Sequence, residues 1–213
     1  MTDLTIAQTD PTIAKKGKTR ISKGNIKIGN NTWNINLPPH KTCQKRACFK
    51  EECCYNFKAW RMFPSVRMAW DSNWNHYNED KTQFFDDIIL SLTRAKNPPK
   101  WFRWQAAGEI PDQEYFEGMK RVAVAFPEIK FLVFTKKYDL YFYNIPKNLN
   151  IVISAWPGME IPRRLKRRFP IAWMIDGRET RKPKNGFECP GHCPECRACW
   201  SLSKGKDVIF HRH

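Results

Sequence analysis

Apolar positions along the chain repeat with two different periods, and the switching between them predicts alternating strands and helices. Between Asn25 and Leu37, Ile26, Ile28, Trp33, Ile35 and Leu37 keep a two-residue period, broken at Gly29-Asn30-Asn31. That pattern reads as a hairpin or two short strands, closed by Pro38-Pro39. Tyr55 to Trp74 is aromatic-rich and reads as helix, with Pro64 as an interruption or a first-turn residue. Phe84, Phe85, Ile88, Ile89 and Leu92 recur at three- and four-residue steps, which predicts a helix beginning after Asn78-Glu79-Asp80 and stopped by Asn97-Pro98-Pro99. Trp101 to Ala107 reads as a strand, and Asp112 as the N-cap of a helix running to about Phe126. Lys130 to Thr135 and Asn150 to Ala155 are short apolar runs of the kind that suits strands covered on both faces, and Ile171 to Ile175 reads as a further strand. Tyr138 to Tyr143 reads as a brief helical or irregular piece, Pro162 to Arg168 as a basic helical turn, and Asp207 to His211 as a last strand.

Strand, connection with helix, strand, repeated, is the rhythm of an α/β fold with a mostly parallel sheet. Roughly five or six strands are expected, as a partial (incomplete) TIM-like barrel or an open sheet; a full eightfold barrel takes ~250 residues, and this chain has 213. Residues 1–24 read as a mobile polar and basic tail, 25–180 as the α/β domain with a cysteine loop at 40–55, and 181–213 as a cysteine-rich metal-binding segment with the final strand. Parallel sheets bind ligands beyond the C-terminal ends of their strands. The residues in those places are His40 to Cys54, Gly108-Glu109, Thr135-Lys136-Lys137, Trp156-Pro157-Gly158 and Asp176-Gly177-Arg178. Glycines there also serve as plain turn formers.

Charge adds a partner class. Thirty-seven Lys and Arg against 21 Asp and Glu leave a formal +16, which favours polyanions, nucleic acid before anionic membrane. A solvated basic face would carry the same charge with no dedicated partner. No apolar run approaches the length of a membrane span, and Met1 to Lys27 lacks the apolar core of a signal peptide. A reducing, intracellular location is therefore expected, where clustered cysteines bind metal more often than they pair.

The eight cysteines form two blocks. Cys189, Cys193, Cys196 and Cys199 are spaced C-x3-C-x2-C-x2-C, and such short steps let sulfurs turn inward on a bent backbone. Four thiolates close a tetrahedral zinc site or hold a [4Fe-4S] cluster. A continuous run favours the cluster, and Pro190 and Pro194 stiffen the loop. In the other block, Cys43, Cys48, Cys53 and Cys54, the last two are adjacent and their side chains diverge, so one of them is spare. Three ligands would leave one iron of a cluster open to a small molecule. The alternative is that all eight thiolates form two closed, structural sites, so one or two clusters, or zinc, are expected.

The order Leu37-Pro-Pro, Lys41-Thr-Cys43, Cys48, Cys54-Tyr55, then Phe102-Arg-Trp-Gln-Ala-Ala-Gly-Glu109, Phe134-Thr-Lys136, Ser154-Ala-Trp156 and the final run with Cys199-Trp200 resembles the bacteriophage "gene product 88" family. The likeness covers about 33 to 213 and implies a phage origin and the host cytoplasm. More distantly the chain resembles radical S-adenosylmethionine (radical SAM) enzymes, which implies a partial barrel with three cysteines after the first strand and a Gly-Glu turn after the second. By that resemblance Cys43, Cys48 and Cys54 would hold a cluster, Gly108 and Glu109 would meet the SAM amine, and Tyr55 would lie near the adenine or pack behind the cluster. Ser154 would join the cofactor side, and the C-terminal run would be an auxiliary cluster. The usual C-x3-C-x2-C spacing of that family occurs here only at Cys189, Cys193 and Cys196.

Three functions follow as expectations. The first is a radical-SAM-like iron–sulfur enzyme acting on nucleic acid or nucleotide, with Glu109, Lys136 and Arg103 as the catalytic rim. The second is a non-enzymatic nucleic-acid-binding protein with structural metal, using Arg163-Arg164, Arg167-Arg168 and exposed tryptophans. The third is a phage protein that binds a host factor.

Overall fold

The computed structural model describes residues 19–24, 28–29, 31–43, 54–175, 177, 183 and 186–211. Cys48, Cys53, Asn25, Ile26, Asp176 and Arg178 lie outside the described residues. In chain order the elements are β1 (Ile21–Ser22), β2 (Thr32–Ile35), α1 (Pro39–Thr42), α2 (Tyr55–Met62), α3 (Pro64–Glu79), α4 (Lys81–Thr93), β3 (Trp101–Trp104), α5 (Gln113–Ala125), β4 (Lys130–Thr135), β5 (Leu149–Ala155), α6 (Arg163–Lys166), β6 (Ile171–Ile175), β7 (Gly186–Glu188), α7 (Cys193–Cys196), a 3-10 turn (Ala198–Trp200) and β8 (Asp207–His211).

Local chemistry explains the helix starts. Pro64 stands in the first turn of α3, where its missing N–H would have no partner anyway, so it opens a new helix. Asp80 and Asp112 cap α4 and α5, accepting from the backbone of Gln83 at 2.9 Å and of Tyr115 at 2.8 Å. Tyr138 to Tyr143 is irregular, not helical.

Among the described residues eight strands form one sheet, in the order β1-β2-β3-β4-β5-β6-β8-β7. β1 runs antiparallel to β2, and every other neighbouring pair is parallel. The edges, β1 and β7, do not pair with each other, so the sheet is open: a mixed α/β fold with a mostly parallel sheet. The expected five or six strands become eight because β1 and β7 are two and three residues long, too short for periodicity to register. β1 also falls inside the segment read as a tail. It is held there by burial of Thr19, whose hydroxyl donates to the Phe84 carbonyl at 3.2 Å. Asn73 grips both backbone groups of Arg20, at 2.7 and 3.0 Å.

The two-residue strand period divides the core. Ile35, Phe102, Trp104, Phe131, Val133 and Ile151 meet Phe84 and Ile88 of α4 and Phe116 and Met119 of α5 on one face. Each such side chain stabilises the fold by about 1.5–3 kcal/mol on burial. Leu132, Val152, Ala172 and Val208 point to the other face, where Trp200 and Leu202 cover them. Since β2 to β5 are parallel neighbours, Ile35, Trp104, Thr135 and Ala155 end on one rim. Thr32, Trp101, Lys130 and Leu149 begin on the opposite one.

Candidate functional site

The C-terminal rim is built around Gly108 and Glu109. Gly108 has φ +84°, and a Cβ there would lie 2.5 Å from the Leu37 carbonyl oxygen and 2.9 Å from Thr42 Oγ1. Only glycine fits that approach. The Glu109 backbone N–H donates to Thr42 Oγ1 at 3.0 Å. Its carboxylate is 5% exposed and accepts from the Ile110 N–H at 2.8 Å, the Thr135 hydroxyl at 2.8 Å and the Lys136 N–H at 2.7 Å. It thereby ties the loop after β3 to the end of β4. The Lys136 ammonium lies 5.9 Å from the centre of the Trp156 ring, and the Ser154 carbonyl accepts from the Tyr138 hydroxyl.

Cys43 and Cys54 join this rim. Cys43 directly follows Thr42, and Cys54 is the N-cap of α2, whose Asn56 donates to the Ala106 carbonyl at 3.0 Å. His40 packs α1 onto α2 with its ring 4.2 Å from that of Trp60. Tyr55 is 69% exposed, turned to solvent. Among the described residues four polar atoms of this end are buried without a hydrogen-bond partner: His40 Nδ1, Trp104 Nε1, Gln105 Oε1 and Trp156 Nε1. Gln105 also holds φ +43°, a conformation that non-glycine residues rarely adopt without local compensation. Burial lowers the His40 imidazole below its ordinary range, against the opposing attraction of Asp71.

The second cysteine block sits on the face of the sheet that Trp200 covers. Cys189 follows β7, its N–H donating to the Ile209 carbonyl at 2.8 Å. α7 carries Cys193 and Cys196, and the 3-10 turn carries Cys199. Asn150 donates to the Cys199 carbonyl at 2.7 Å. Between them Arg197 turns the chain at φ +51°. Its guanidinium donates to the Ile28 carbonyl at 3.0 Å and to the Thr32 hydroxyl, and lies 5.4 Å from both the Trp101 and Trp200 rings. Thr32 and Trp101 begin β2 and β3 and Asn150 is the second residue of β5, so Arg197 and Cys199 lie over strand beginnings, while Cys189 follows the C-terminal end of β7.

The four thiols of this block are free and line one cleft of about 20 Å³ together with Phe187, His192 and Trp200. Burial pushes the Cys199 thiol up to about 12, reinforced by Cys189 and Cys193, while Arg103 pulls the other way. Burial likewise raises Cys193, against the same Arg103. Arg103 stands over the Phe134 ring at 5.1 Å, and its Nε is buried without a partner. Arg103 therefore belongs with the C-terminal thiols and not with Glu109 and Lys136. Among the described residues no three His, Cys, Asp or Glu side chains stand in a preformed metal-binding group. A thiol set that becomes a site only when metal draws its sulfurs together and displaces their protons is common chemistry.

Of the residues singled out from sequence, Cys43, Cys54, Gly108, Glu109 and Lys136 meet at the C-terminal rim. Arg103 and the four C-terminal cysteines meet on the face that Trp200 covers, while Ser154 contributes its carbonyl and Tyr55 faces solvent. Arg197 has no place in the sequence reading, and His40 and Thr42 enter it only as members of the first cysteine loop. A positive φ at an arginine leaves no sequence signal. Thr42 and His40 had only their nearness to Cys43 to mark them.

A family model described as gene product 88 matches residues 6–207. No curated protein and no solved structure matches the chain. Among the described residues no helix is long and apolar enough to cross a membrane.

Proposed function

The chain belongs to the gene product 88 family, and from that premise we propose that it is a bacteriophage iron–sulfur protein whose C-terminal thiols hold a cluster. The carrying observation is that Cys189, Cys193, Cys196 and Cys199 line a single cleft. The last three follow C-x2-C-x2-C, the step of ferredoxin-type cluster loops, and Cys189 precedes a proline. Four thiolates around iron carry net negative charge, and the half-buried Arg103, whose buried Nε is unsatisfied, is a suitable counter-charge. A cluster there would supply electron storage or relay.

The finer reading is a radical-SAM-like centre at the C-terminal rim, with Cys43, Cys54 and Cys48, which lies outside the described residues, as ligands. Supporting it are the Gly108-Glu109 turn after β3 and the unpartnered atoms of His40, Gln105 and Trp156, which mark that rim as a place for a polar ligand. Glu109 would act there chiefly by holding the rim, since its oxygens already accept three hydrogen bonds.

Zinc is the second reading, favoured by the size of the cleft. About 20 Å³ is little more than one water-sized guest requires. Anaerobic purification with metal analysis separates the two. Iron with sulfide and a broad absorbance near ~400 nm is expected, lost in Cys196→Ala. One zinc per chain would replace the cluster reading, and a metal-free protein that takes up neither would end both. Conversion of SAM to 5′-deoxyadenosine by reduced protein tests the rim reading; no turnover would sink it.

A further inference from the structure

The loop after β4 presents two tyrosines that the core does not need. Leu140 and Phe142 are buried, 2% and 3% exposed, while Tyr141 and Tyr143 between and beyond them are 67% and 65% exposed. The inward Phe142 packs on Phe116 and Phe169 at 5.3 and 5.1 Å between ring centres. It thereby fixes the two outward rings on one side of the loop. Those rings are nearly parallel, 16° apart, with centres 6.5 Å from each other. That spacing is close to twice the ~3.4 Å rise between bases along a nucleic-acid strand. Gln113 clamps the Tyr141 backbone at 2.9 and 3.2 Å, and Lys120 donates to the Tyr143 carbonyl at 3.1 Å, so the pair is held.

Beside this pair lies the most basic stretch of the chain. Phe169, which Phe142 touches, ends the run Arg163-Arg164-Leu165-Lys166-Arg167-Arg168. All five cations are exposed, and the Arg164 guanidinium donates to the Tyr138 carbonyl at 2.6 Å, which joins α6 to the tyrosine loop. Among the described residues none of the five is in a salt bridge. The nearby carboxylates are mostly engaged, Asp139 with Lys137 at 3.1 Å and Glu117 with Lys120, which leaves the exposed Glu160 as a local opposing charge.

We propose that this surface binds single-stranded nucleic acid, with Tyr141 and Tyr143 stacking on bases and the α6 cations meeting the phosphates. Exposed parallel rings beside exposed cations that meet no carboxylate among the described residues are the two parts that single-strand binding combines. A duplex, whose bases are already stacked, would use the cations alone. The proposal is independent of any metal at the cysteines.

The test is fluorescence anisotropy of the full chain with a labelled oligothymidylate of about 12 nucleotides, within the usual span of single-strand sites. Binding that weakens steeply between about 50 and 200 mM salt is expected. Tyr141→Ala and Tyr143→Ala should each weaken it about tenfold, while Tyr141→Phe retains it. The triple change Arg163→Ala, Lys166→Ala, Arg167→Ala should reduce the log–log salt slope by about 2, at ~0.7 per phosphate. A duplex of equal length should bind less tightly and ignore the tyrosine changes. These tyrosines are exposed, so unchanged thermal unfolding checks that the variants fold. No binding, equal binding by both alanine variants and the parent, or tighter binding of duplex would each overturn the proposal. Displacement of the oligonucleotide by phosphatidylserine vesicles would overturn it in favour of a membrane.

Discussion

The Thr135 hydroxyl donates to Glu109 Oε1 at 2.8 Å, and that bond closes the loop after β3 onto the end of β4. A buried carboxylate with three donors in place gives up little by leaving water, because its charge is met by fixed dipoles. Glu109→Gln keeps the shape but turns one acceptor into a donor that faces an N–H or O–H. The variant should be about 2–3 kcal/mol less stable in urea unfolding, and an unchanged midpoint would show that the rim is not held in this way.

Gly108 and Gly158 provide a matched comparison. Both have positive φ, +84° and +77°, yet a Cβ at Gly108 would meet backbone at 2.5 Å while one at Gly158 meets nothing within 4 Å. Gly158→Ala should carry backbone strain alone, about 1 kcal/mol. Gly108→Ala adds a clash with backbone that cannot yield and should cost at least about 2 kcal/mol more. Equal losses in denaturant unfolding would contradict the close packing of Gly108 against Leu37.

Gly118 inverts a helix rule. It lies inside α5, where alanine normally stabilises by about 0.5–1 kcal/mol. Here an added Cβ would run into the Phe85 ring. Gly118→Ala should therefore destabilise, by about 1–3 kcal/mol as overpacking does. Gly118→Ala together with Phe85→Leu should recover part of the loss, as read by thermal unfolding.

Arg197 docks the C-terminal cysteine segment while holding φ +51°. Arg197→Ala removes the hydrogen bonds to Ile28 and Thr32 and the contacts with Trp101 and Trp200, and keeps the strain. Arg197→Gly loses the same contacts but frees the backbone, so it should be the milder of the two by about 1 kcal/mol. Arg197→Lys should not restore the parent, since an ammonium cannot reproduce the planar fork. Proteolysis between Cys189 and Trp200, faster in the alanine than in the glycine variant, reports the order directly.

Burial, assisted by Glu109, raises the Tyr138 hydroxyl to about 12. In the unfolded chain the group ionises near ~10. A raised pKa contributes stability that is fully present below about pH 10 and is lost as pH climbs towards 12. The advantage of the parent over Tyr138→Phe should be about 1 kcal/mol near neutral pH, from the bond to the Ser154 carbonyl. It should shrink or reverse by pH 12 in denaturant titrations, and a constant difference across that range would contradict it.

Much of the fold was legible because local chemistry announced it. Asp80, Asp112 and Pro64 start helices through groups within three residues of themselves, and the apolar runs at Lys130 and Asn150 are dense enough to demand burial on two faces. β1 and β7 were not legible, since two or three residues carry no measurable period. Nor was the closure of the rim, where Glu109 finds Thr135 across 26 residues of chain.

By itself the sequence determined the α/β class, a mostly parallel sheet and the existence of two cysteine blocks, because periodicity and spacing are properties of neighbouring residues. Only the tertiary structure decided that the sheet is open and that Cys43 and Cys54 join the C-terminal rim while the second block lies on the face that Trp200 covers. It also decided that Arg103 belongs to the thiols and not to Glu109. Arg103 and Glu109 are six positions apart, yet the strand carries one outward to the covered face and the following turn buries the other at the rim. Partners of that kind come from strand register and loop closure, which no local pattern encodes.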